Sequence, residues 1–306
     1  MTSPKRSLAL ALTLALGLPG MAPAEEGGDV LKPAQAGAQP VPIAVAKLAA
    51  APKVDGDLAD WGTDGWVKVP VQPAIIGDGK NKAGKLEVKL KAGVAGDSFF
   101  MALQWPDPKA DTTYRPWEWN EGKGKHERSK LRDDMMAVRF EVDGDFDSCM
   151  LSKKVYRVDL WQWSAGRTNR AGLAEDYLHT LSSKPLEDAA EFPMADGGTT
   201  YIKKSLDAGA NLWENAKADP AKKETQDGVV IPPNPAGSSA DVLAKGSWKD
   251  GVWTLELSRK LDTTHPDDRP FKVGEKIRGQ IAVFNEGWAE HKSFSDVLLF
   301  DFAGIN

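Results

Sequence analysis

The stretch Asp147–Ala165, DSCMLSKKVYRVDLWQWSA, decides the fold and carries the candidate chemistry. From Val155 onward polar and apolar residues interleave, and the run closes in Trp-Gln-Trp. This pattern is typical of a half-buried β-strand, and we expect one aromatic face that includes Trp161 and Trp163. Just before the strand stand Cys149, the only cysteine of the chain, and Met150. A sulfur atom is therefore expected beside large, flat side chains.

Met150 has two interpretations. Methionine is a known axial ligand of haem iron, so a flat apolar cofactor such as haem could lie against the aromatic strand. Methionine also fills irregular gaps in hydrophobic cores, which would make its role structural. Covalent haem attachment needs Cys-x-x-Cys-His and is excluded by the single cysteine. Any haem must therefore be held by coordination and burial alone.

Further strand patterns indicate an all-β protein. They cover residues 86–92, 98–105, 135–142, 252–257, 276–284 and 293–302. Few helical periods compete with them, so we predict a β-sandwich with long loop insertions and few short helices. Residues 106–132 and 166–246 interrupt the strands and are predicted to be long loops that serve a ligand or a partner.

The N-terminus resembles a secretory signal peptide. Lys5 and Arg6 precede the apolar run 8–18, and Ala22-Pro23-Ala24 fits a cleavage site at about residue 24. Residues 25–51 are rich in Ala, Pro, Gly and Gln and are predicted to be an extended leader, with order from residue 52. No later stretch has the roughly 20 apolar residues of a membrane helix. We expect an exported protein, periplasmic in a Gram-negative cell.

Charge and histidine spacing exclude several classes of function. Removal of Lys5 and Arg6 changes the formal net charge from −5 to −7, so nucleic acid is not expected as a partner. The four histidines are scattered without zinc-site spacing, and we expect them to be solvated or locally hydrogen-bonded. No nucleotide-binding or hydrolase motif stands in a suitable context.

Five segments together resemble a known family. They are VDGDLADW (54–61), LRDDMMAVRFEVDG (131–144), SCMLSKKVYRVDLWQWSAGRTNRAGLAED (148–176), GVWTLELSRKL (251–261) and IAVFNEGWAEHKSFSDVLLFDF (281–302). Their order and spacing resemble the haem-binding domain of ethylbenzene dehydrogenase-type γ subunits, a family that includes those of dimethylsulfide dehydrogenase, selenate reductase and chlorate reductase. The resemblance covers about residues 52–302.

The resemblance implies a site and partners. One haem b would be held through Met150 and Lys292, with electron transfer rather than catalysis as the role. The partners would be a molybdenum catalytic subunit and an iron-sulfur subunit of a dimethylsulfoxide reductase-type oxidoreductase, or a soluble c-type cytochrome. His291 remains the alternative ligand, because a neutral imidazole binds iron without deprotonation of an ammonium. Neighbouring residues of a strand point to opposite faces, so only one of the two can reach the iron.

A second class of function also fits part of the sequence. The VDGxxxDW opening at 54–61 resembles the start of family-nine carbohydrate-binding modules. In that alternative the protein is a carbohydrate-binding-module-like sandwich without haem, and Trp117 and Trp119 stack on sugar rings.

Overall fold

The computed structural model describes residues 39–194, 197–287 and 291–305. The predicted signal peptide at 1–24 and the first part of the predicted leader, 25–38, lie outside these residues. Across the described part, strands account for the regular structure, and the helical elements are four short 3₁₀ turns at Leu58–Trp61, Thr168–Arg170, Ser238–Ala240 and Ala303–Ile305.

The strands, in chain order, are β1 (Val41–Lys47), β2 (Val67–Pro73), β3 (Leu86–Ala95), β4 (Ser98–Pro106), β5 (Trp117–Asn120), β6 (Lys125–Arg128), β7 (Met135–Gly144), β8 (Tyr156–Ser164), β9 (Glu175–Ser182), β10 (Ala190–Pro193), β11 (Thr199–Leu206), β12 (Glu214–Asn215), β13 (Val229–Val230), β14 (Leu243–Lys249), β15 (Val252–Lys260), β16 (Lys276–Phe284), β17 (Ser293–Ser295) and β18 (Leu298–Asp301).

Fourteen of these strands form one sheet that folds over into two layers. The first layer runs β10-β11-β9-β8-β7-β16, and β17 leads into the second layer, β2-β3-β4-β15-β14. β18 pairs with the start of β16, and β1 lies between β18 and β3, parallel to both. The main core lies between the layers. The prediction of an all-β sandwich is confirmed.

Most predicted strands appear where the alternation placed them. β3, β4, β7, β15 and β16 contain the predicted segments 86–92, 98–105, 135–142, 252–257 and 276–284. The last segment, 293–302, is divided into β17 and β18 at Asp296-Val297. The aromatic strand is shorter than the quoted stretch, because β8 begins at Tyr156 and the preceding residues form a loop.

The leader prediction is wrong for its second half. β1 falls inside residues 25–51, and its Ile43 and Val45 are buried in the main core. A short alternating apolar run thus begins the sheet before residue 52. The Ala- and Pro-rich composition around it concealed this strand.

The segment 166–246 is also not a loop. It contributes β9, β10 and β11 to the first layer beyond β8, and β14 to the edge of the second layer. The shorter segment 106–132 holds the β5-β6 hairpin. The turn residues between these short strands interrupt the alternation of polar and apolar residues, which is why the segments were predicted to be loops.

Trp161 and Trp163 point into the main core between the layers. Tyr156 and Val158, on the same strand, point to the outer face of the first layer. The two tryptophans therefore share one face, but Tyr156 and Val158, which the interleaved pattern groups with them, lie on the other. Side chains alternate between the two faces along a strand, so Trp161 and Trp163 lie on the face opposite to Tyr156 and Val158.

The ring of Trp163 is enclosed on several sides. It packs edge-on against Trp105 and Trp253 at centroid distances of 6.1 and 5.1 Å, and its Nε1 donates to Asn169 Oδ1 at 3.0 Å. Gly246 on β14 allows this packing, since a Cβ there would overlap the indole ring. Trp163 is consequently a structural residue of the core.

Replacing Trp163 by Phe should lower the free energy of unfolding by about 2 kcal/mol, because it removes a buried hydrogen bond and leaves a void. Denaturant unfolding measures this loss. Trp66→Phe is the matched control, since Trp66 is partly exposed and its indole bonds a carbonyl near the surface, and it should cost much less. Equal losses in the two variants would contradict the assignment of Trp163 to the core.

Candidate functional site

A small cleft, with a cavity volume of about 70 Å³, opens on the outer face of the first layer. Its lining is mainly apolar, with a few polar and cationic groups: Ala74, Ile75, Ser148, Cys149, Met150, Leu151, Phe192, Ile202, Lys204, Gln280, Lys292 and Phe294.

Met150 and Lys292 both line this cleft. Met150 lies in the loop between β7 and β8 and packs against the outer cluster, which consists of Phe146, Tyr156, Val158, Leu181 and Ile202. Lys292 immediately precedes β17, and its carbonyl accepts a hydrogen bond from the Ala74 amide at 2.9 Å. The Lys292 ammonium is 5.9 Å from the centroid of the Phe284 ring, which lies on the same outer face. The fold thus brings together the two residues that the sequence resemblance paired.

The other three candidate residues lie elsewhere. The Nδ1 of His291 is 2.9 Å from Asp78 Oδ2, and His291 does not line the cleft. Trp161 and Trp163 are on the opposite side of the first layer, in the main core. The apolar wall of the cleft includes Phe192, Phe294 and, from the outer cluster, Ile202.

A buried arginine holds the Met150 loop in position. The Nη2 of Arg139 donates to the carbonyls of Asp147 and Ser148 at 2.6 and 2.8 Å, and its Nε and Nη2 donate to Gln280 Oε1 at 2.9 and 2.6 Å. Tyr156 adds a hydroxyl bond to the Asp147 carbonyl at 3.2 Å. Sequence analysis missed Arg139, although a charged residue inside the apolar run AVRFEV was a signal for it.

The Arg139 network also reaches the Lys292 side of the cleft. Gln280 donates from its amide to the Ser295 carbonyl at 2.6 Å, and Ser295 is in the short strand that follows Lys292. One buried guanidinium is therefore linked to both segments that supply the candidate ligands.

The segment 166–246 builds one wall of the cleft. Phe192 comes from β10, and Ile202 and Lys204 come from β11. Thr200 donates from its hydroxyl to the carbonyl of Ser152 at 2.8 Å, which ties β11 to the Met150 loop. The predicted insertion is thus part of the candidate site itself.

His179 is a buried imidazole near the cleft. Burial lowers its pKa well below the ordinary value, and the positive charges of Lys204, Arg139 and Lys292 lower it further. The imidazole is therefore neutral, and its Nδ1 has no hydrogen-bond partner. The expectation of a solvated or hydrogen-bonded histidine is wrong at this position, because β9 was taken for a loop.

Charges around the cleft are predominantly positive. Lys204 and Lys292 line it, and Arg139 lies behind the loop that carries Met150. Burial raises the pKa of the Cys149 thiol. The cleft combines apolar walls, a thioether, an amine and cationic groups, a donor set that fits a flat apolar cofactor with anionic substituents.

The tryptophans required by the carbohydrate alternative are not open platforms. Trp117 is half-buried, with Arg128 over its ring at 4.7 Å and its Nε1 bonded to the Ala216 carbonyl at 2.9 Å. Trp119 is half-buried against His126, at a centroid distance of 5.1 Å, and Lys223. A sugar ring would have to displace these neighbours.

Comparisons with known proteins give one family. A search of curated proteins finds no match. Among solved structures, a family 9 carbohydrate-binding module from Caldicellulosiruptor kristjanssonii, in complex with glucose, is 10% identical over 86% of this chain and 96% of that chain, with a TM-score of 0.37. A putative carbohydrate-binding protein from Bacteroides uniformis is 8% identical over 86% of this chain and 100% of that chain, with a TM-score of 0.39.

In the described part of the chain, no helix is long and apolar enough to cross a membrane.

The chain matches the family described as ethylbenzene dehydrogenase over residues 59–294, or 236 of the 306 residues. This range includes every segment that lines the cleft, from Ala74 to Phe294. The chain therefore belongs to the ethylbenzene dehydrogenase family, in agreement with the resemblance to its γ subunits.

Proposed function

We propose that this protein is a periplasmic haem b electron-transfer protein, the γ subunit of, or a carrier for, a dimethylsulfoxide reductase-type molybdenum oxidoreductase. The observation that carries the proposal is that Met150 and Lys292, far apart in the sequence, line one apolar cleft. Family membership supports it, since the family supplies a subunit of an oxidoreductase complex.

The cleft residues divide into ligands and supports. Met150 would offer its thioether and Lys292 its neutral amine to iron, and haem bound there would supply one-electron storage at a potential raised by the thioether. Lys292 can act as a ligand only as the neutral amine, so coordination to iron would have to displace its proton. Lys204 is placed to pair with an anionic substituent of the cofactor.

With two protein ligands, the iron would have no free coordination position for a substrate. A site of this kind suits electron transfer and does not suit catalysis at the iron. The protein would then exchange electrons with a partner that carries the catalytic centre, either an iron-sulfur subunit in a stable complex or a soluble c-type cytochrome.

The bound haem should be removable without breaking a covalent bond. Acid-acetone extraction of the purified red protein is expected to leave a colourless chain, because the single cysteine cannot form the two thioether links of a c-type haem. Haem that remains on the polypeptide in denaturing electrophoresis would contradict non-covalent binding.

Substitutions at the ligand positions test the axial pair. Met150→Leu keeps an apolar side chain against the outer cluster but removes the sulfur, and Lys292→Leu removes the amine. Each should weaken haem affinity by about 10-fold or more and change the low-spin absorption spectrum.

His291→Ala is the matched control, because it breaks the contact with Asp78 beside Lys292 and should leave the spectrum unchanged. A low-spin spectrum that is lost in His291→Ala but retained in Lys292→Leu would move the ligand to residue 291 and overturn the Met/Lys assignment.

Export and partnership are tested together on native material. Affinity purification from the periplasmic fraction, followed by mass spectrometry, should recover a mature chain that starts near Glu25, with a molybdenum catalytic subunit and an iron-sulfur subunit. A chain that retains residues 1–24 in the cytoplasm would contradict export. Recovery of the monomer alone would contradict the subunit assignment in favour of the carrier.

A further inference from the structure

Aspartates from distant parts of the chain meet between the two layers. Asp159 is on β8, Asp176 is on β9, Asp207 directly follows β11, and Asp267 and Asp268 lie in the connection between β15 and β16. The carboxylate oxygens contributed by Asp207, Asp267 and Asp268 are within 4.8 Å of one another. These five residues, the aspartate cluster, are separate from the cleft, because Asp159 is on the same side of β8 as the core tryptophans.

One guanidinium neutralises only part of this cluster. The Nη1 of Arg259 donates to Asp159, Asp176 and Asp268 at 2.7, 3.2 and 3.1 Å. Five carboxylates face one buried cation, and burial of unpaired charge is strongly unfavourable. Arg259 makes no ion pair with Asp207 or Asp267, so the negative charge concentrates on their side.

Asp207 is the least satisfied member of the cluster. Its side chain is 4% exposed, and neither carboxylate oxygen has a well-aligned hydrogen-bond partner, although the backbone amide of Leu178 lies close enough to lower the pKa of the carboxyl. One oxygen of Asp159 and one of Asp176 are also buried without a partner. Buried polar atoms are almost always hydrogen-bonded, so four unpaired carboxylate oxygens in one place indicate a missing positive group.

The carboxylate of Asp267 is fixed toward Asp207. Its Oδ2 accepts from the Ala208 amide at 2.8 Å, and its Oδ1 accepts from the Ser238 hydroxyl at 2.9 Å. The Asp207 amide in turn donates to the Asp176 carbonyl at 3.1 Å. The backbone therefore holds the carboxylates close together despite their repulsion.

We propose that Asp207, Asp267 and Asp268 bind a divalent cation, Ca²⁺, in the interior of the sandwich. Calcium binds oxygen at about 2.3–2.6 Å, so two ligand oxygens on opposite sides of the ion lie about 5 Å apart. The separation within the aspartate triad is compatible with this distance. The ion would lie beside Asp207, to which Arg259 supplies no counter-charge.

The ligand set favours calcium over other metals. All three ligands are carboxylates, and zinc prefers nitrogen and sulfur. Magnesium requires near-ideal octahedral geometry and retains several waters, whereas calcium accepts irregular sets of protein oxygens. The histidine nearest the cluster, His265, is engaged by Asp241, with its Nδ1 2.7 Å from the carboxylate.

A bound proton is the rival explanation. Burial, then the charges of Asp267 and Asp159, raise the pKa of Asp207 to about 8, so this carboxyl would hold a proton at neutral pH in the absence of a cation. If a proton neutralises Asp207, added calcium should not stabilise the protein. If a metal ion neutralises it, added calcium should bind and stabilise the protein.

The test is calcium binding to the full chain after chelator treatment and removal of the chelator. Isothermal titration with CaCl₂ should show one ion per chain, and the midpoint of thermal unfolding should rise with calcium concentration. Asp207→Asn should weaken binding by about 10-fold or more, since it removes a charged ligand but keeps the side-chain volume. Asp267→Asn is the second variant and should weaken binding in the same way.

Glu256→Gln is the matched control. Glu256 is a buried carboxylate of β15, satisfied by the Asp55 and Gly56 amides at 3.0 and 2.8 Å and by Trp61 Nε1 at 2.7 Å. This variant should retain the calcium response of the original chain. Absence of both heat and stabilisation at millimolar calcium would overturn the proposal and favour the proton. Calcium binding that is unchanged in both aspartate variants would overturn the assignment of the site.

Discussion

The buried guanidinium of Arg139 is the interaction on which the outer face of the sandwich depends. It is 4% exposed, and its acceptors are two loop carbonyls, the Gln280 amide and the Tyr156 hydroxyl. These neutral acceptors satisfy its donors but leave its charge uncompensated, in contrast with Arg259, which lies among carboxylates. Each hydrogen bond to a charged group contributes about 1.5–3 kcal/mol, so the loop that carries Met150 is firmly placed. The same residue helps to make the cleft cationic and therefore suited to an anionic cofactor.

The two faces of the first layer differ in structural role. Its inner face packs Trp161, Trp163 and other large side chains against the second layer and provides the stability of the domain. Its outer face carries the smaller outer cluster and is covered by loops rather than by a second sheet. A cofactor bound in the cleft would contact this outer face and not the main core. This arrangement explains how one strand, β8, can serve both the fold and the candidate site.

Local patterns predicted the strands well, and long-range placement poorly. Alternation located β3, β4, β7, β15 and β16 because it reports burial of one face directly. It failed at β1 and at β9–β11, where composition rich in turn residues concealed short strands. The positions of Met150 and Lys292 came from family resemblance, and only the fold shows that they share a cleft. The aspartate cluster was missed because its members come from different strands and connections, tens of residues apart, and leave no spacing signal. Arg139 and His179 were missed because the sequence does not show what packs around them.

The central claim is that a thioether and an amine from this cleft ligate one haem. Near-infrared magnetic circular dichroism of the purified ferric protein measures this most directly, since its charge-transfer band depends on the pair of axial ligands. Titration of the apoprotein with haemin beforehand fixes the stoichiometry at one haem per chain. Ligation by Met150 and Lys292 predicts a band typical of methionine paired with a nitrogen donor. A band typical of two nitrogen ligands, as His291 or the neutral imidazole of His179 would give together with Lys292, would contradict it.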